Sequence, residues 1–412
     1  MTSGENAGAR GLTAGLWGLF CACSWTWCIG MYLPKIMLER FGWTGFLVFA
    51  VPNILGCAAL GYVLKTRAPS QRMTDGHRSA MMWFSAITIA FHSVFAVHLL
   101  GYVWSVDMAT AAAVAAQAGD GQAAALYGQR VGNALNPGSA GIGIGVLTVV
   151  GLILSRLGDR GWLVATVLTY ATSLAALVLL ILKPNLLGGV PAIENPMEIG
   201  IIAPLIVAGF LLCPYLDFTF HRAHRAAPGT HAFGVFGVGF GLMLVLTCIL
   251  WVRDAPALTT IALVHLGAQA TFTVGAHLRE LREAARTTWS AALWMLLPLI
   301  SGGAFIGLQE AMQRPIGDDM YLRFLAAYGL VLPAYVLVFI VARIRVRQTM
   351  VSTIALLAVC AGLAPFYEFG FIGRQPLLML VPLAVLVFWV AWRWMATADR
   401  PSEDATALPS GG

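Results

Sequence analysis

The segment CIGMYLP at residues 28–34 interrupts the first long apolar run of the sequence with two helix-breaking residues, Gly30 and Pro34. A second segment, CPYLD at residues 213–217, interrupts the sixth apolar run, and Tyr-Leu follows the break in both. Glycine and proline destabilise a helix interior, so both segments predict a break within a membrane span. This pair of breaks decides the expected architecture.

The apolar runs around these breaks indicate a membrane protein. Of the 412 residues, 59% are hydrophobic and 11% are charged, and the mean hydropathy is +0.79. A soluble domain carries about 25% charged residues. Runs of roughly 20 apolar residues recur along most of the chain, and each is long enough to cross a bilayer as a helix. This composition excludes a separate soluble domain.

The sequence predicts an all-α polytopic membrane protein with about twelve transmembrane helices. The predicted spans are residues 13–38, 42–64, 81–106, 139–157, 162–183, 199–220, 231–252, 258–278, 290–310, 321–343, 349–373 and 376–395. Lys and Arg residues are about twice as numerous in the loops on the N-terminal side, which predicts cytoplasmic termini in a cell inner membrane. This bias also accounts for the formal charge of +6, so we expect no nucleic-acid partner.

Similar segments recur in the two halves of the chain, which predicts an inverted 5+5 repeat. Helices 1–5 correspond to helices 6–10, and because five is odd, the second copy crosses the membrane in the opposite direction. Short apolar matches also arise from shared membrane composition, which is the alternative explanation. The matching pairs are FGWTGFLVFAVPNILG (41–56) with FGVFGVGFGLMLVL (233–246), and SVFAVHL (93–99) with FTVGAHL (272–278).

The domain organisation follows from the spans. We expect an N-terminal cytoplasmic tail at 1–12, the first repeat at 13–184, the second at 199–343, two further helices at 349–395 and a disordered cytoplasmic tail at 396–412. Two outer loops are long: residues 107–138 predict a helix near the outer surface, and residues 184–198 predict an irregular loop. The seven cysteines all lie in apolar runs and are predicted to be small core residues.

This predicted architecture resembles the LeuT fold of the amino acid–polyamine–organocation superfamily, and it is distantly similar to the sodium:solute symporters. The resemblance covers residues 13 to 395 and rests on the repeat, the two breaks and the two added helices, without a diagnostic sequence motif. It implies transport by alternating access, often as symport, with a solute held at the two breaks. It also implies a cation site between carbonyls of the first helix and hydroxyls of the eighth.

The candidate substrate-binding residues surround the two breaks. A broken helix frees carbonyl groups for a cation and N–H groups for an anion. The alternative is a simple proline kink with packed aromatic side chains. The candidates are Ser24, Trp25, Thr26, Trp27, Gly30, Tyr32, Cys213, Tyr215 and Asp217.

Asp217 is the strongest single candidate because it is a carboxylate inside a span and directly after a break. Burying a charge in the membrane is costly, so Asp217 is expected to bind an amine or sodium, or to carry a coupling proton. The alternative is an ion pair with Arg222 or Arg225 at the end of the helix.

The predicted eighth helix carries the candidate ion-binding residues Gln269, Thr271 and Thr273. By the resemblance, Thr271 and Thr273 correspond to sodium-binding hydroxyls, but the adjacent Ser/Thr pair often found there is absent. Sodium and protons therefore both remain candidate coupling ions. The alternative is that each hydroxyl bonds a carbonyl of its own helix.

These features predict a secondary active transporter of a small polar solute, with that solute and the lipid bilayer as partners and without enzymatic activity. No other cofactor or metal is expected. Two alternatives remain open. One is a haem-binding membrane redox protein that uses histidines within the spans, and the other is a membrane-embedded enzyme at the HisXXHis pair His221 and His224.

Overall fold

The computed structural model describes residues 3–132, 137–182, 196–253, 256–312, 318–341 and 346–398. Within these ranges the chain is helical almost throughout and contains no strand. The α-helices are α1 (Ser3–Trp25), α2 (Cys28–Leu64), α3 (Arg67–Gly76), α4 (Arg78–Gln117), α5 (Gly121–Gly132), α6 (Pro137–Ser155), α7 (Asp159–Ile181), α8 (Pro196–Leu212), α9 (Phe218–Ala226), α10 (His231–Arg253), α11 (Pro256–Ala284), α12 (Thr288–Met295), α13 (Leu297–Met312), α14 (Asp318–Ala326), α15 (Leu332–Phe339), α16 (Met350–Tyr367) and α17 (Leu380–Ala398).

Four short segments interrupt or extend these helices. Cys213–Leu216 and Pro376–Met379 form 3-10 turns, and Ala327–Val331 and Glu368–Ile372 are π-helical. The predicted loop at 184–198 and the predicted tail at 396–412 lie largely outside the described residues. Where they are described, both are helical, since α8 begins at Pro196 and α17 continues to Ala398.

The long helices have the length and composition of membrane spans. Eight helical runs in the described part of the chain pass this test, and the pair α12 and α13, bent by 42°, adds a ninth if it is one span. Large apolar side chains such as Ile142, Val238 and Phe388 are exposed on the outer surface. Lipid is the only solvent in which such a surface is favourable over many helices. The chain is therefore an all-helical multi-pass membrane protein.

A kink within α2 separates the first two predicted spans. Gly42 has φ 59° and ψ −151°, a conformation that residues with a side chain rarely adopt. The sequence predicts this boundary between residues 38 and 42, close to the observed kink. Glycine is thus required where the chain changes direction.

Helices far apart in sequence pack closely around one central core. α10 lies between α1 and α2, and α11 packs against α4 and α6. A Cβ atom at Gly18 of α1 would lie 2.2 Å from the Ala232 carbonyl oxygen of α10, so only glycine permits this approach. Small residues let two helices approach closely, so van der Waals packing stabilises the contact where lipid supplies no hydrophobic driving force.

The region after the predicted third span is a hairpin of two helices. α4 continues to Gln117, beyond the predicted end at residue 106, and α5 folds back against it. The helix expected within residues 107–138 is therefore present, partly as an extension of α4. The short helix α3, between the second and third predicted spans, was not anticipated.

All seven cysteines are buried and none forms a disulfide. This confirms their prediction as small core residues. Cys21, Cys23 and Cys28 flank the gap between α1 and α2, and Cys213 follows α8. Thiols are therefore concentrated where the helices are interrupted.

Candidate functional site

The first break lies between α1 and α2, at Thr26 and Trp27. The Thr26 hydroxyl and backbone N–H both donate to the Ala22 carbonyl, at 2.7 and 3.0 Å, and the Trp27 indole N–H donates to the Ser24 carbonyl at 2.5 Å. The Trp27 indole satisfies the Ser24 carbonyl, which the end of α1 leaves without a helical partner, whereas the Ala22 carbonyl already accepts the helical N–H bond of Thr26. The break is confirmed, but it lies at Thr26 and Trp27, before Gly30 and Pro34, which are both helical.

The second break follows α8 and is centred on Asp217, as the sequence predicts. Asp217 has extended backbone angles and its Oδ1 accepts a hydrogen bond of 2.7 Å from the Thr219 N–H, so it caps α9. Asp217 is fully buried, and its Oδ2 has no hydrogen-bond partner among the described residues. The expected alternative of an ion pair with Arg222 or Arg225 is not found there: Arg222 pairs with glutamates of α11 and Arg225 donates to Thr74.

The two breaks lie side by side in the core. The hydroxyl oxygens of Ser24 and Thr219 are 3.1 Å apart, and the rings of Trp25 and Phe220 meet edge to face at 4.9 Å. Ser24 donates its own hydrogen to the Cys21 carbonyl, so Thr219 donates to Ser24. Thr219, which the sequence did not single out, therefore connects the two interrupted helices.

Aromatic side chains surround the first break. The Trp27 ring lies 4.1 Å from Trp25, 5.0 Å from Phe84, 5.2 Å from Tyr328 and 5.9 Å from His277, between centroids. Phe84 and Tyr328 come from α4 and from the π-helical segment before α15. Sequence reasoning missed both, because an aromatic residue in an apolar span cannot be distinguished from an ordinary packing residue until its neighbours are known.

A cavity of about 70 Å³ adjoins this aromatic cluster. Its wall includes Trp25 and Trp27 from the first break, Cys213 from the second, Tyr328 from one π-helical segment and Phe371 from the other. π-Helical segments occur frequently at functional sites. Four interruptions of regular helix thus converge on one cavity, which we take as the candidate functional site.

The other predicted substrate-binding residues lie outside the cavity wall. Ser24, Thr26 and Asp217 are buried at the breaks, behind the lining. Gly30 faces Phe240 and Leu244 of α10, as a Cβ there would lie 3.7 Å from both. Tyr32 packs its ring against those of Phe95, His98, Trp251 and Tyr321, and the Tyr215 carbonyl accepts a hydrogen bond from His221. The positions of the breaks in the sequence do not indicate which of the nearby side chains line a cavity.

The structure separates the three candidate ion-binding residues of α11. The Thr273 hydroxyl donates to the Cys23 carbonyl of α1 at 3.3 Å, and the Gln269 amide donates to Ser173 of α7 at 2.8 Å. Thr271 instead donates to the Gly267 carbonyl of its own helix at 2.7 Å. Residues two positions apart on a helix face different directions, so Thr271 does not share the face of Thr273.

Two of the histidines considered for the alternative functions, His92 and His221, have both ring nitrogens in hydrogen bonds. His92 Nδ1 donates to the Thr88 carbonyl at 2.7 Å, and its Nε2 accepts the Cys28 N–H at 3.2 Å. His221 Nε2 donates to the Tyr215 carbonyl, so its Nδ1 accepts from Ser70. Across the ranges that the structure describes, no group of three or more His, Cys, Asp or Glu residues is arranged to hold a metal ion. Neither haem ligation by His92 nor metal binding by His221 is supported.

An ion-pair network connects α9 with α11 and α7. Arg222 of α9 pairs with Glu280 and Glu283 of α11, and Arg279 pairs with Asp159 at 2.6 Å and Glu283 at 3.0 Å. Burial raises the pKa of Glu280, and the charge of Arg222 opposes this rise. Burial also acts on Glu283, but Arg222 and Arg279 lower its pKa overall. The network fixes the helix that follows the second break.

Comparison with protein families and with curated proteins supplies no relative of the chain. No protein-family profile matches the chain, and no curated protein shows significant similarity to it. The functional interpretation therefore depends on the geometry of the breaks and the cavity.

Proposed function

We propose that the protein is a secondary active transporter that moves a small solute by alternating access at the two helix breaks. The observation that carries this proposal is the contact between the breaks, where Ser24 and Thr219 lie 3.1 Å apart. Adjacent broken helices are the usual location of a solute site in transporters built from inverted repeats.

In this proposal the chain has twelve spans, arranged as the LeuT-like 5+5 inverted repeat with two added helices. α1 and the first part of α2 form the first span, and α8 with the start of α9, as far as residue 220, forms the sixth. An interruption in each of these spans, at Thr26 and Trp27 in the first and at residues 213–217 in the sixth, supports this correspondence. Both termini would then be cytoplasmic, in a cell inner membrane, as the Lys and Arg bias predicts.

Asp217 is the proposed coupling residue. A buried carboxylate without a cationic partner is unfavourable, so it is stabilised when it takes up a proton or a cation. The carbonyl of Cys23 and the hydroxyl of Thr273 lie close together beside the first break, where the resemblance implies a sodium site. Sodium and protons are therefore the two coupling ions to test.

The direct test is solute uptake into proteoliposomes under an imposed sodium or proton gradient. We expect one gradient to drive accumulation of at least one solute from a broad panel, and we expect Asp217→Asn to abolish it. Asp75→Asn, which changes an exposed carboxylate of α3, is the matched control and should transport normally. Folded protein that shows no gradient-dependent uptake across the panel would contradict the proposal.

A further inference from the structure

The two tryptophans in the cavity wall direct their polar atoms into the protein. The Trp25 indole N–H donates to Asn53 Oδ1 at 2.7 Å. The Trp27 indole N–H donates to the Ser24 carbonyl at 2.5 Å. Both rings therefore present carbon atoms, and no free donor, to the cavity.

The tyrosines and the cysteine of the cavity wall also donate hydrogen bonds to groups of the protein. Thr88 donates its hydrogen to the Phe84 carbonyl, so the Tyr328 hydroxyl, 2.9 Å from Thr88 Oγ1, is the donor of that pair. Tyr367 donates to the Leu322 carbonyl at 3.0 Å, and the Cys213 thiol donates to the Tyr328 carbonyl at 3.3 Å. Each polar side chain of the lining thus has a protein partner.

The rest of the lining is mainly aliphatic, with side chains such as Ile29, Leu33, Ile202 and Leu205. A polar solute would lose its hydration on entering this cavity without gaining replacement hydrogen bonds from the lining side chains. An apolar solute would instead replace contacts with solvent by contacts with carbon. The lining therefore favours an apolar ligand over the polar solute expected from the sequence.

An apolar crevice adjoins this cavity and reaches the outer surface of the protein. It has a volume of about 380 Å³, lies among α8, α15, α16 and α17, and shares Leu205, Gly329 and Pro382 with the cavity wall. Val359 and Phe388 line the crevice and are also exposed on the surface that faces lipid. Its mouth therefore opens towards the bilayer.

We propose that the cavity, together with the part of the crevice that adjoins it at Gly329, binds a neutral, predominantly apolar solute, which reaches this site laterally from the bilayer. This inference rests on the proposed transport function and adds the chemical class of the solute and its route. The bilayer concentrates such compounds, so a lateral route supplies the cavity without exposing them to water.

Equilibrium binding of radiolabelled indole to the protein in lipid nanodiscs tests the chemical class, with empty nanodiscs as the background. We expect saturable binding that unlabelled naphthalene displaces and that alanine and glucose leave unchanged. Absence of saturable indole binding would overturn the proposal, as would saturable binding of radiolabelled alanine or glucose that indole does not displace.

Gly329→Phe tests the position of the site. A Cβ atom at Gly329 would meet no atom within 4 Å, so the new ring extends into open space where cavity and crevice adjoin. We expect indole affinity to fall about tenfold or more. Gly303→Phe is the matched control, because Gly303 of α13 has equally open surroundings away from the cavity. Equal affinity of both variants and the unchanged protein would place the site elsewhere.

Ala355→Trp tests the route without filling the cavity, because Ala355 lines only the crevice. If indole enters laterally, its association and dissociation should both slow by about fivefold, leaving the Kd unchanged. Unchanged rates would overturn the lateral route. Ala355 is exposed, so this variant also gives a result if Gly329→Phe does not fold.

These measurements separate the two proposals. Indole binding with no gradient-driven uptake of any solute would contradict transport while leaving the apolar class intact. Gradient-driven uptake of a polar solute together with no indole binding would contradict the apolar class alone.

Discussion

The hydroxyl oxygen of Ser24 lies 3.1 Å from that of Thr219, although 195 positions separate the two residues in the chain. Ser24 is in the last turn of α1, and Thr219 is in the first turn of α9. Hydrogen bonds between membrane helices contribute about 0.6 kcal/mol on average. The bond therefore aligns the two breaks but is weak enough to break when the helices move.

Removal of either hydroxyl should destabilise the protein slightly. Ser24→Ala and Thr219→Ala should each lower the free energy of unfolding by about 0.5–1 kcal/mol, and the double variant should lose less than the sum because both changes remove one bond. Thermal unfolding in nanodiscs measures this. Thr172→Ala is the control, since Thr172 bonds only its own helix in the structure. Strictly additive losses would show that the two hydroxyls do not interact.

Asp217 combines a structural and a proposed functional role, which two substitutions separate. Asp217→Asn keeps an oxygen that can accept the Thr219 N–H, so the cap of α9 should survive while coupling is lost. Asp217→Ala also removes the cap and should cost about 1 kcal/mol more in stability. Uptake assays and unfolding of both variants test this. If the Asn variant takes up solute like the wild type, the role of Asp217 is only to cap α9.

Arg222→Ala should destabilise the protein strongly because it leaves Glu280 buried without its main partner. Removal of one member of a buried pair costs about 3–5 kcal/mol. Lys35→Ala, which breaks the more exposed pair with Glu39, should cost at most about 1 kcal/mol. Unfolding temperatures of the two variants give the comparison. Equal, small shifts would show that the network does not hold α9.

Stability should fall in mild acid because of His221, which lies beyond the predicted sixth span. Burial lowers the pKa of His221 to about 3, and the nearby charges of Arg225 and His224 add to this effect. The unfolded chain therefore binds the proton more tightly, so the unfolding free energy should decrease below about pH 6.5, by up to about 1.4 kcal/mol per pH unit.

The measurement is thermal unfolding of the wild type and of His221→Gln between about pH 8 and pH 5. His224 and other groups also titrate in this range, so the difference between the two proteins isolates His221. The variant should lose less stability on acidification. Parallel pH dependences would contradict a neutral, buried His221.

Much of the helical framework could be predicted from the sequence because it depends on local composition. Apolar runs indicated membrane helices, and the proline of CPYLD located the second break within residues 213–217. The first break lies at Thr26 and Trp27 and not at Gly30. There the Trp27 indole binds the Ser24 carbonyl, and His92 of α4 accepts the Cys28 N–H, in place of the helical bonds. Composition does not reveal such bonds.

The candidate site was less predictable because it depends on contacts between distant helices. Periodicity placed Gln269 and Thr273 on one face of α11, yet it did not show that Thr273 would meet the Cys23 carbonyl. Tyr328 contributes to the cavity from a π-helical segment, Ala327–Val331, which the amino-acid sequence did not predict. Pairings of this kind are set by tertiary packing.

The reactivity of the buried cysteines can report conformational changes at the two breaks. Cys21, Cys23, Cys28 and Cys213 flank the two breaks and are shielded in this conformation, so a maleimide should alkylate them slowly. Any conformation that opens a break to water would speed alkylation of the thiols on that side. Peptide mass mapping after reaction with a membrane-impermeant reagent, added to one side at a time, would then record which break faces which solution.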